Sequence, residues 1–105
     1  MSYSLNAGLR DIIVQNLSAH DRIAVTDGSL RKAAVALVLG AASQEAPADI
    51  VITLRASKLN RHGGQYALPG GRLDEGENAI EAALSETHEE VGLYLETASV
   101  LGVLD

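Results

Sequence analysis

Glu86, Glu89 and Glu90 lie three and four residues apart in the segment Ser85-Glu86-Thr87-His88-Glu89-Glu90-Val91. On a helix of about 3.6 residues per turn this spacing places three carboxylates on one side, while Ile80, Ala83, Leu84, Thr87 and Val91 occupy another. Like charges at these separations destabilise a helix by about 0.2–0.5 kcal/mol per pair, so a shared cation gives a physical reason for tolerating them. Carboxylate oxygens with no clear His or Cys partner suit Mg2+ or Mn2+. Taken alone, the same patch is more simply an ordinary solvated acidic face.

The charges around this segment are sorted. Arg55, Lys58, Arg61 and Arg72 make up half of the eight basic residues and lie in or beside a glycine-rich stretch, whereas eight of the fourteen acids fall between Asp74 and Glu96. An anion-binding stretch therefore abuts a cation-binding one. The glycine-rich stretch, Ala56 to Gly76, holds five glycines and one proline, which suits a backbone bent around a ligand better than a regular element.

The elements that must position these residues can be read from apolar spacing and punctuation. Leu5, Leu9, Ile12, Ile13 and Leu17 recur at helical intervals, which predicts a helix over much of Ser4 to His20, with His20 at its end. Lys32 to Leu39 is a continuous apolar run that suits a strand covered on both faces; Gly40 to Asp49 reads as a loop, and Ile50 to Arg55 as a second strand delivering Arg55 at its end. Asn78 is positioned to cap a helix from Ala79 to about Val91, with Glu81 as its capping-box partner and Gly92 closing it in the left-handed conformation. Ala98 to Leu104 predicts the start of a further strand.

Composition narrows the function classes. With 105 residues and no cysteine, the chain has the size of one domain, or a piece of one, and has no disulfide framework, thiolate metal site or cysteine nucleophile. Phe and Trp are absent and only three Tyr are present, so base stacking is poorly provided for; the net charge of −6 argues further against a general nucleic-acid or anionic-membrane surface. The longest nearly apolar run, Ala33 to Ala42, is far short of the roughly 20 residues that cross a bilayer. Met1 to Ala7 lacks the order of a secretory signal, which makes the cytoplasm the default expectation.

Read from Gly71, the chain gives Gly, five residues, Glu77, seven residues, then Ser85-Glu86-Thr87-His88-Glu89-Glu90-Val91-Gly92-Leu93. This resembles the Nudix box, G-x5-E-x7-R-E-U-x-E-E-x-G-U with U a bulky aliphatic residue, and seven of nine fixed positions match: Gly71, Glu77, Glu86, Glu89, Glu90, Gly92 and Leu93. Ser85 stands where the family has Arg, and Thr87 where it has an aliphatic residue. In the family the Arg braces a catalytic carboxylate, so Ser85 removes a charge-assisted hydrogen bond and implies slower chemistry. Thr87 falls on the predicted core face and bears on packing more than on chemistry.

Upstream, Val51-Ile52-Thr53-Leu54-Arg55-Ala56 followed by Gly64, Leu68, Pro69, Gly70 and Gly71 resembles in part the second signature of coenzyme A pyrophosphatases. Val51 and Ile52 replace paired Leu, Leu68 replaces Phe, and Asn60 takes the place of an Arg, with Arg61 one position later. Arg55 and Arg61 suit phosphate oxygens by two-point guanidinium geometry.

The resemblance, which covers about residues 51–93, implies an α/β fold: an α/β/α sandwich with a mixed sheet, the box forming loop-helix-loop. It implies hydrolysis of a nucleoside diphosphate linked to another moiety, with Glu86, Glu89 and Glu90 and the Gly70 carbonyl holding Mg2+ or Mn2+. Arg55, Arg61, Gly70 and Gly71 are the implied substrate contacts. For coenzyme A the products would be adenosine 3′,5′-bisphosphate and 4′-phosphopantetheine. Glu77 is expected to brace the loop and His88 to be structural. His62 is a weaker general-base candidate than a metal-bound carboxylate, and Tyr66 is expected to fill space. Rival readings are ADP-ribose or dinucleotide hydrolysis, and a catalytically weak nucleotide-binding module. The family's domain continues past the box with strands and a closing helix, so a single domain incomplete at its C-terminus is expected, pairing with a second copy or a completing chain.

Overall fold

The structure is a computed structural model that describes residues 3–23, 26, 28–54 and 64–104. Helix α1 spans Ala7–Ala19, one turn shorter at its start than the apolar spacing suggests. Asn6 sets that start, because its side-chain oxygen accepts the Leu9 N–H at 2.9 Å, while Ser4 leaves the helix and bridges to Pro47. Leu9, Ile13, Val14 and Leu17 are half-buried, and no residue of α1 is fully buried. At its far end His20 caps the helix, and its Nε2 donates to the Leu104 carbonyl across 3.0 Å.

The two expected strands are each divided. β1 (Ala33–Val35) and β2 (Leu39–Gly40) arise from the first apolar run, and β3 (Asp49–Ile50) and β4 (Thr53–Leu54) from the second. β5 (Tyr66–Ala67) and β6 (Gly70–Arg72) form within the glycine-rich stretch, where an irregular backbone was expected. Antiparallel pairs join β1 to β6, β2 to β3 and β4 to β5. Hydrogen bonds extend the ladders beyond the short strands, from Ala36 N–H to the Pro69 carbonyl at 2.8 Å and from Val51 N–H to the Val38 carbonyl at 2.9 Å.

The apolar runs are not covered on both faces. From Ala33 to Val38 the residues alternate outward and inward, with Ala34, Ala36 and Val38 inward and Val35 and Leu37 63% and 58% exposed. Ile50, Ile52 and Leu54 likewise stay exposed while Val51 and Thr53 turn in. The period of two belongs to a sheet with one covered face, and an unbroken apolar sequence conceals it.

Helix α2 spans Ala79–Val91 and has the ends its sequence specifies. Asn78 accepts the Glu81 N–H at 2.8 Å, Glu81 accepts the Asn78 N–H at 3.2 Å, and Gly92 closes the helix at φ 71°. α2 packs across β6 and β1. Its inward face holds Ala82 and Thr87, the latter wholly buried with its hydroxyl donating to the Ala83 carbonyl at 2.7 Å. That bond within the helix satisfies the buried hydroxyl, so Thr fits an aliphatic position. The segment expected as a further strand carries a short 3-10 helix at Thr97–Ser99, and residues 100–104 form no strand.

Candidate functional site

The site is built where β6 runs under α2. In the β1–β6 register Val35 faces Gly70, Ala34 faces Gly71 and Ala33 faces Arg72. The Ala36 N–H bonds to the Pro69 carbonyl and the Leu73 N–H to the Lys32 carbonyl, so residues 69, 71 and 73 turn their backbone groups toward β1. By the alternation of an antiparallel ladder, the Gly70 N–H and carbonyl point to the opposite edge, where no described strand pairs with them.

Gly71 faces α2. A Cβ on Gly71 would lie 2.8 Å from Glu86 Cδ and 2.9 Å from Glu86 Oε1. A residue of the glycine-rich stretch and a helix residue fifteen positions later thus meet directly. Glu86 is half-buried, and its carboxyl is held above its ordinary pKa first by loss of hydration, then by the charges of Glu89 and Glu90, by a hydrogen bond with Glu90, and by Asp74. A hydrogen bond between two carboxyl groups needs a proton between them. A hard cation placed there would satisfy the same oxygens and relieve the same repulsion.

The donor set, clustered carboxylates, fits Mg2+ or Mn2+ in chemistry. Its geometry is that of a close pair with a third charge beside it: among the described residues no three acidic or histidine side chains gather closely enough to enclose an ion. Glu89 and Glu90 are exposed at the end of α2. Asp74, which the sequence reading did not single out, adds its charge to Glu86 from the turn before the helix. Its position among eight clustered acids was the available signal.

Glu77 ties that turn together. Its carboxylate accepts the Asp74 N–H at 3.0 Å, and its own N–H bonds to the Asp74 carbonyl at 3.0 Å. It is a loop brace, as expected.

Ser85 is exposed and lines a cleft of about 470 Å3 with Glu81, Leu84, His88, Tyr94, Leu95, Glu96 and Thr97, a cleft that Glu86 does not line. His88 packs edge-on against Tyr94, with ring centroids 5.7 Å apart, which supports its structural assignment. Among the described residues the Ser85 hydroxyl bonds to no carboxylate. Tyr66 is 70% exposed and fills no interior space. Arg55, Arg61 and His62 lie outside the described residues. Among the described residues no helix is long and apolar enough to cross a membrane.

A strand-supported acidic helix preceded by a glycine pair and closed by a left-handed glycine defines the class of site: a carboxylate-rich face beside a glycine-bearing strand. Comparison with known proteins gives the family. The NUDIX domain model matches residues 29–105, and the chain belongs to the Nudix family. Nudix hydrolase 3 of Caenorhabditis elegans is 33% identical over 87 residues, covering 83% of this chain and 35% of that protein. A protein named uncharacterized Nudix hydrolase NudL from Enterobacter sp. (strain 638) is 43% identical over 75 residues, 70% of this chain and 38% of its own length. Its namesake from Salmonella heidelberg (strain SL476) is 35% identical over 81 residues, 76% of this chain and 42% of its own. The chain is thus matched to less than half the length of each of these relatives.

Proposed function

We propose that this chain forms the metal- and diphosphate-binding face of a Nudix pyrophosphohydrolase, acting on a nucleoside diphosphate joined to another moiety, with coenzyme A or a derivative as the substrate. The observation that carries the reading is the meeting of Gly71 with Glu86 beneath the charges of Glu89 and Glu90. It brings together in space what the motif separates in sequence. The choice of coenzyme A rests on the signature over residues 51–71.

Glu86, Glu89, Glu90 and the Gly70 carbonyl would hold Mg2+ or Mn2+. The ion, when bound, neutralises diphosphate oxygens and lowers the pKa of a coordinated water. Glu86 lies beside Glu90, within reach of its charge and of a hydrogen bond, and Glu77 keeps the Asp74 turn closed. Gly70 and Gly71 let the backbone approach the diphosphate closely. Arg55 and Arg61 are assigned to its outer oxygens on the strength of the signature alone. A single domain working in the cytoplasm, in contact with a second copy or another chain, completes the reading.

Product release from a panel containing coenzyme A, ADP-ribose and dinucleotides, each with Mg2+ and with Mn2+, tests it. Preferential cleavage of coenzyme A supports the proposal, and preference for ADP-ribose or a dinucleotide moves the chain to a sister activity. A second reading, a nucleotide-binding module of low turnover, is favoured by one observation: Ser85 points into a cleft and braces no carboxylate among the described residues. Calorimetry showing affinity for these nucleotides without turnover would select it.

A further inference from the structure

The three glycines Gly40, Gly70 and Gly71 are glycines for different reasons. A Cβ on Gly40 would meet nothing within 4 Å. On Gly70 it would collide with the Ala34 carbonyl oxygen and come within 2.7 Å of Val35 Cα and Cγ1, so Gly70 serves the approach of two backbones. On Gly71 its three nearest atoms would all belong to Glu86: Cδ at 2.8 Å, Oε1 at 2.9 Å and Cγ at 3.2 Å. Uncompressed carbon contacts lie at about 3.5–4.0 Å, so the carboxylate occupies space that exists only because Gly71 has no side chain.

We infer that Gly71 is a positioning residue for Glu86: its missing side chain lets the carboxylate lie against β6 beside Glu90, and a methyl group there displaces that carboxylate while leaving the fold in place. This rests on the reading of Glu86 as a metal ligand. The reason is mechanical. What stands in the way at Gly71 is the far end of a side chain with rotatable torsions, anchored in a helix whose packing on β6 and β1 is carried by other residues. A turn about those torsions removes the overlap without moving the backbone. At Gly70 the obstruction is backbone, and no torsion relieves it. The missing side chain of Gly70 therefore serves the sheet, and that of Gly71 serves the site.

The experiment uses Mn2+ alone as the probe, followed by its electron paramagnetic resonance signal, with folding read by circular dichroism. Gly71→Ala is expected to remain folded and to bind Mn2+ about 10–100-fold more weakly, the usual range for loss of a group that orients a ligand, while Gly40→Ala binds as the parent does. Parent-like Mn2+ affinity in Gly71→Ala overturns the inference. Glu86→Gln separates that failure from failure of the underlying reading: if Glu86→Gln loses affinity and Gly71→Ala keeps it, only the positioning role is wrong, and if Glu86→Gln also binds normally, the metal assignment is wrong. Should Gly71→Ala fail to fold, the double variant Gly71→Ala/Glu86→Ala decides. Recovery of folding supports the overlap with Glu86, and continued failure places the obstruction elsewhere and overturns the inference.

Discussion

Replacing Glu86 by Gln should stabilise the metal-free protein at neutral pH and at the same time remove its response to divalent ions. Glu86 gives up hydration on folding and faces Glu89 and Glu90, three and four residues along the same helix, with Asp74 adding a further negative charge. Each like-charged pair at such spacing costs about 0.2–0.5 kcal/mol, so relief of two pairs amounts to roughly 0.4–1 kcal/mol, with recovered desolvation adding to it. The pH dependence has a definite sign. The carboxyl is raised from its ordinary 4.5, so the stability gained from its neutral form is complete below the unfolded-state value and is lost as pH rises through the folded-state value. Urea denaturation in a chelator from pH 4 upward should show this component in the parent and not in Glu86→Gln, and the variant should unfold at the higher urea concentration at pH 7.5. Adding Mn2+ should raise the midpoint of the parent and leave the variant where it was. A variant less stable than the parent in chelator at pH 7.5 would refute the electrostatic reasoning.

Three further outcomes are expected. Asn78→Ala should cost about 1 kcal/mol by thermal or urea unfolding, because it removes the side-chain oxygen that accepts the Glu81 N–H, while the backbone N–H at position 78 can still donate to Glu81. Ser85→Arg places a guanidinium four residues from both Glu81 and Glu89, and should raise kcat more than it changes KM, since orientation of a carboxylate matters most in the transition state; equal kinetic constants would show that another group already braces the site. The exposed alternation of Ile50, Ile52 and Leu54 should make the chain self-associate, read as a molar mass by light scattering that grows with concentration at micromolar levels, and a constant monomer mass would remove the basis for a partner chain.

What the sequence disclosed and what it concealed divides along the range of the interactions. Helix α2 was legible to the residue because its ends are written locally: Asn78 and Glu81 exchange hydrogen bonds three positions apart, and Gly92 takes the left-handed conformation that glycine adopts without strain. The loop brace at Glu77 was legible for the same reason. At α1 the apolar spacing covers Ser4 to Asn6, but Asn6 caps the helix and Ser4 bridges instead to Pro47, a partner far along the chain.

The strands were harder. Val35 and Leu37 are apolar but face outward, so hydropathy could not separate a sheet covered on one face from one covered on both. Gly70 to Arg72 read as bend-forming because glycine is permissive, yet its pairing with β1 is set by backbone contact that a propensity does not express. In the site, the residues were named by the motif, but the contact between Gly71 and Glu86 and the charge of Asp74 on Glu86 depend on packing β6 under α2. Spacing along the chain proposes the membership of the site, and only the fold gives the contacts among its described residues.

The most direct test of the central claim is a calorimetric titration of Mn2+ into the parent chain and into Glu89→Gln and Glu90→Gln. Both variants should bind the ion markedly more weakly than the parent, because each removes a negative donor from the face that Glu86 shares. Unchanged Mn2+ affinity in both would contradict the account and return this face of α2 to an ordinary solvated acidic surface.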